Sequence, residues 1–135
     1  MLGDLWSFQG RYRTLHLTWI AFFLTFVVWF NLAPLATTVK ADLGLTVGQI
    51  RTVAICNVAL TIPARVLIGM LLDKFGPRIT YSSILVFSAI PCLLFASAQD
   101  FNQLVVARLL LSIVGAGFVI GIRMVAEWFP PKEIG

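Results

Sequence analysis

Charge is what this sequence has least of. Only 12% of its 135 residues are Asp, Glu, Lys or Arg, about half the share found in an average soluble domain. With 59% apolar residues beside it, that scarcity excludes an ordinary water-exposed globule. It also excludes a disordered chain, which needs low hydrophobicity and high net charge. A single His and two Cys supply neither metal-ligand spacing nor a disulfide framework. Cys56 and Cys92 lie inside apolar runs and read as small buried hydrophobes. No Ser-His pair, His-rich tract or paired carboxylates point to an enzyme, and no cofactor or metal is expected. The net charge is +4, yet the basic residues form no run or stripe of the kind that engages nucleic acid. Barrel-type alternation and low-complexity linkers are absent as well.

What remains is an all-α, polytopic membrane composition. A helix needs about 20 mostly apolar residues to cross the hydrocarbon, and the sequence predicts four such helices, over approximately 15–39, 50–72, 79–98 and 103–129. The third carries no charge, the apolar stretch of the second, Thr52 to Leu72, is broken only by Arg65, and the fourth is interrupted by Arg108 and Arg123 before Pro130 and Pro131 stop it. The N-terminus lacks the basic start, short core and small-residue cleavage site of a removable signal peptide, so the first run reads as a retained anchor. Arg11, Arg13, Lys74, Arg78 and Lys132 fall on one side of the membrane and Lys40 alone on the other, which places the N-terminus in the cytoplasm. Trp6, Tyr81 and Trp128 near helix ends suit interfacial anchoring. Pro34, Pro63 and Pro91 fall inside or near the ends of the first three helices, as static kinks or as hinges. Gly117 and Gly121 stand in GxxxG spacing and allow another helix to approach closely.

Arg65 is the costliest residue. The second apolar segment is centred on residue 62, so the Arg65 backbone lies within about 5 Å of the midplane. An arginine there costs about 3 kcal/mol or more on insertion scales and needs a protein interior, a cavity or a partner. No Asp or Glu lies at comparable depth. The counter-charge is therefore either a group elsewhere or an anionic substrate, and the substrate is favoured. Phe118, three residues past the centre of the fourth apolar segment, Phe101 to Phe129, shares the depth of Arg65. A flat anion would accept paired donors from the guanidinium and stack on the ring; packing bulk is the plainer use of one Phe among 11. Arg123 and Glu127 are four apart and pair across a helical turn, as structural or gating residues. Asn31, Asn57 and Thr61 are polar groups that suit interhelical hydrogen bonds, and His16 reads as interfacial rather than as a ligand.

The connection after the second helix carries Gly69, Leu71, Asp73, Gly76 and Arg78 in the pattern G-x-L-x-D-x-x-G-x-R. That pattern resembles the loop signature between the second and third helices of the major facilitator superfamily. In it Gly69 is expected to allow close helix contact and Gly76 a tight turn, while Asp73 forms switchable ion pairs with Lys74 and Arg78. Arg108, followed by a small-residue run, resembles the same superfamily's helix-four pattern, with Ser112 where the family often has Gly. The stretches TIPARVLIGMLLDKFGPR and GAGFVIGIRMVAEWFPPKEIG narrow the resemblance to the nitrate/nitrite porters, over about Arg11 to Gly135. The resemblance implies that Arg65 binds the nitrate or nitrite anion and that Phe118 packs on it. It also implies that residues 1–135 are the N-terminal part of a transporter domain of about twelve helices, in the plasma membrane, whose remaining helices are partners of this chain. A carrier of another small organic anion and a non-transporting membrane scaffold are the alternatives.

Overall fold

The computed structural model describes residues 8–130. Trp6, Pro131, Lys132 and Gly135 lie outside the described residues. Seven helices follow one another: α1 (Gly10–Trp29), α2 (Leu32–Asp42), α3 (Val47–Ala59), α4 (Thr61–Phe75), α5 (Pro77–Ala96), α6 (Phe101–Val114) and α7 (Gly117–Trp128). Among the described residues they join into four spans long and apolar enough to cross a membrane: Gly10–Asp42, Val47–Phe75, Pro77–Ala96 and Phe101–Trp128. The first begins with the turn that carries Arg11 and Arg13, earlier than hydropathy places it.

Short connections are fixed by local chemistry. Thr46 caps α3 through a reciprocal box, its hydroxyl accepting from the Gln49 amide at 3.2 Å while the Gln49 side chain accepts from the Thr46 amide at 2.9 Å. Asp100 caps α6 by accepting from the Gln103 amide at 2.8 Å. At the opposite end, α4 turns into α5 through Gly76 alone, at φ 78°, a left-handed conformation that side chains resist. Pro77 then starts α5, where its missing N–H costs nothing.

Three of the four spans are broken in mid-course, which hydropathy does not foresee, and the breaks are bonded to one another. Pro34 cannot donate to the Phe30 carbonyl, so the Ala33 amide takes that acceptor at 3.1 Å and leaves the Trp29 carbonyl open. Arg108, only 1% exposed, fills the gap: its Nη2 donates to the Trp29 carbonyl at 3.2 Å and its Nη1 to Asn31 Oδ1 at 2.5 Å. The Trp29 indole donates to the Asn57 carbonyl at 2.8 Å, just before α3 stops at Leu60. There the Leu60 amide donates to Ser112 Oγ at 3.2 Å, and Thr61 Oγ1 donates to the Ser112 carbonyl at 3.0 Å. That carbonyl loses the donor a continuous helix would give it, because the Ala116 amide bonds Ile113 instead; it accepts from the Gly115 amide at 3.2 Å and keeps a second lone pair for Thr61, in a 3₁₀-type turn separating α6 from α7. Asn31 and Thr61 thus serve interhelical bonds, while the side-chain oxygen of Asn57 is buried without a partner among the described residues. Pro91, by contrast, sits inside an unbroken α5.

The fourth span is the hub. More than half of its most apolar stretch is buried, against 11% for the first. Leu111, Val114 and Ile120 are fully buried on it and pack with Ala64, Ile68 and Tyr81. Close approach to α1 depends on missing side chains. A Cβ on Gly115 would stand 2.8 Å from the Trp29 ring, one on Gly117 3.4 Å from Thr25, and one on Gly121 3.3 Å from Phe22. The Gly117 and Gly121 pair therefore faces α1. Gly69 does not act this way: nothing lies within 4 Å of a Cβ built there, because that side of α4 points away from the other described helices. Cys56 and Cys92 are free and half-buried rather than buried.

These contacts make two stability predictions. Arg108→Leu leaves Asn31 and a main-chain carbonyl without their donor inside the bundle and should cost about 2–4 kcal/mol. Gly115→Val drives methyl groups into the Trp29 ring and should cost about 1–3 kcal/mol. Thermal unfolding of the chain in detergent measures both; midpoints equal to the parent's would contradict the bonding described.

Candidate functional site

α4 and α7 run in the same sense and meet at two levels. At the deeper level Arg65 on α4 and Phe118 on α7 come together, the guanidinium carbon 6.0 Å from the ring centre, at the reach of a cation–π contact. Both side chains lie on an exposed face of the described bundle, Phe118 being 41% exposed. Arg65 has no hydrogen bond or ion pair among the described residues, in contrast to the enclosed and bonded Arg108. The arrangement offers five flat N–H donors beside an aromatic face, with apolar surroundings. Such a site suits a small planar anion better than a strongly hydrated one, which would surrender more hydration on entry.

Two turns later, about 12 Å further along α4, lies the second level. Arg123 on α7 donates from Nη1 to Asp73 Oδ1 at 3.2 Å and from Nε to Glu127 Oε1 at 3.1 Å. The Arg123–Glu127 pair spans one helical turn, and Asp73 ties it to α4. Asp73 thus pairs with Arg123 and, among the described residues, not with Lys74 and Arg78 as its place in the turn suggests. Lys74 lies over the Phe75 ring at 5.3 Å and Arg78 over the Trp128 ring at 5.8 Å, because residues on the turn face away from the side of α4 that meets α7. The side chains of Asp73 and Arg123 are 67% and 51% exposed, so the bond is screened and worth no more than about 1 kcal/mol. Such a bond holds two helix ends together and is readily broken. His16 accepts from the Trp19 indole at 3.1 Å and stacks on Phe8.

Neighbours of Phe118 escaped the sequence reading. Phe22 of α1 lies 5.8 Å from it, ring centre to ring centre, and Phe26 lies 4.7 Å from Phe22. Their four-residue spacing on the first span was the available signal, but it names no partner on another helix. Among the described residues no group of His, Cys, Asp and Glu could hold a metal ion.

Comparison with known proteins gives this face a context. The sequence profile of the Major Facilitator Superfamily matches residues 18–135. The chain is 68% identical, over its whole length, to a nitrate/nitrite transporter of Picosynechococcus sp., of which it covers 25%. It is equally similar to a nitrate/nitrite transporter of Nostoc punctiforme, covering 27% of that protein. A probable nitrate/nitrite antiporter of Thermus thermophilus is 33% identical over 128 residues, 93% of this chain and 28% of that one. The chain thus spans about a quarter of the length of the curated relatives it matches. No solved structure matches it at a significant level. Four apolar spans, a charged turn after the second and a profile covering all but the first turns identify an integral membrane protein, and the chain belongs to the Major Facilitator Superfamily.

Proposed function

We propose that this chain supplies the first four helices of a secondary carrier of nitrate or nitrite, residues 1–135 being the N-terminal part of its transporter domain. The carrier works by alternating access in the plasma membrane, with the N-terminus in the cytoplasm, and residues outside this chain complete the pathway. Arg65 holds the anion and Phe118 stacks on it. One observation carries the reading: a guanidinium at mid-depth faces an aromatic ring at 6.0 Å and has no protein counter-charge among the described residues. The 68% identity to two nitrate/nitrite transporters supports the choice of anion.

Asp73, Arg123 and Glu127 form the latch of this proposal at the cytoplasmic end, with Gly76, Lys74 and Arg78 shaping the turn beside it. The latch closes the ends of α4 and α7 while the anion site opens on the other side, and it parts when the carrier rocks. Its exposure suits a bond that must be made and broken each cycle.

Transport is measurable in a carrier whose matching segment, taken from the Picosynechococcus protein, is replaced by residues 1–135. Arg65→Lys keeps the charge but loses the flat paired donors, and nitrate uptake should fall more than about tenfold, the worth of about one charge-assisted hydrogen bond. Near-parental uptake would contradict the assignment. Uptake blocked by small organic anions but not by nitrate would favour a carrier of that class, and failure of any anion to raise thermal stability would favour a scaffold.

The latch makes a separate prediction. Asp73→Asn and Arg123→Gln should each shift the unfolding free energy in detergent by less than about 1 kcal/mol yet slow nitrate turnover, and the double variant should be no slower than either single one. Independent, multiplying losses would separate the two residues.

A further inference from the structure

Phe118 does not stand alone on its face. Phe22 of α1 leans on it with ring centres 5.8 Å apart and planes tilted by 47°. Phe22 reaches that position because Gly121 has no side chain: a Cβ there would lie 3.3 Å from Cδ2 of Phe22. Gly121 follows Phe118 by three residues, on the same face of α7, so one stripe of α7 presents both the ring and the seat for its neighbour. Gly117, with a prospective Cβ 3.4 Å from Thr25, keeps α1 close enough for the contact. Behind Phe22 stands Phe26, 4.7 Å away and tilted by 41°, so Phe22 is itself held from the far side.

A ring that is 41% exposed would otherwise rotate, and freezing it when the anion arrives would be subtracted from the binding energy. We infer that Phe22, seated on Gly121, is a positioning residue for the anion: it fixes the tilt of the Phe118 ring beside the Arg65 guanidinium before the anion arrives. The inference rests on the anion-binding reading of Arg65 and Phe118 and adds to it a third helix, α1, which touches the anion only through Phe118.

The test uses the same hybrid carrier, with nitrate uptake resolved into KM and into Vmax per carrier in the membrane. Phe22→Ala should raise KM about threefold to tenfold, the worth of one aromatic pair, with Vmax within about twofold of the parent. Phe22→Tyr, which keeps the ring, should restore the parental KM, and Gly121→Val, which unseats Phe22, should reproduce the rise. An unchanged KM in Phe22→Ala, or a loss confined to Vmax, would overturn the inference, as would failure of Phe22→Tyr to restore KM. Arg65→Lys serves as the control. If it too keeps the parental KM, the anion reading falls; if it alone is impaired, the positioning role of Phe22 falls and the anion reading stands.

Discussion

A guanidinium deep within the span of a membrane must be given something, and Arg108 and Arg65 are answered in opposite ways. Arg108 is enclosed and receives a side-chain oxygen and a main-chain carbonyl. Among the described residues Arg65 receives only an aromatic ring. Since an unpaired cation at that depth costs a few kcal/mol, the second arrangement is tolerable only where a counter-charge arrives from elsewhere. The difference separates a residue whose bonds hold the bundle together from one whose charge the described residues leave unanswered.

The enclosed arginine depends on helix breaks, and the breaks depend on prolines and glycines. Pro34 releases a carbonyl by failing to donate, and Arg108 and Asn31 close around the opening. The same belt continues through the Trp29 indole, Asn57, Leu60 and Ser112, joining three broken spans at their breaks. In hydrocarbon no water satisfies such groups, so breaks survive only where protein does so. Below this belt α4 and α7 lie side by side, which brings Arg65 to Phe118 and, further on, Asp73 to Arg123. The belt fixes the relative height of the helices and so fixes which residues meet.

The sequence was most legible where a property depends on one dimension. Span number follows from apolar length, and the shared depth of Arg65 and Phe118 follows from counting residues along two segments that cross in the same direction. Gly76 before Pro77 announced a turn by its local chemistry. What escaped was rotation about the helix axes. Asp73 was expected to meet Lys74 and Arg78, which are near in sequence, whereas it meets Arg123, which only the facing of α4 toward α7 brings near. Gly69 was expected to seat a helix and meets none among the described residues, while Gly115 admits the Trp29 ring from a segment 86 positions earlier in this numbering. Phe22 could not be chosen among eleven phenylalanines until Gly121 was seen beneath it.

The central claim is that an anion, rather than a side chain, neutralises Arg65. Its most direct test is the rate at which phenylglyoxal modifies that guanidinium in the hybrid carrier, read by peptide mass spectrometry across a nitrate titration. Arg65 should react readily without nitrate and be protected as nitrate saturates, while Arg108 stays unreactive throughout. Equal reactivity of Arg65 with and without saturating nitrate would contradict the account.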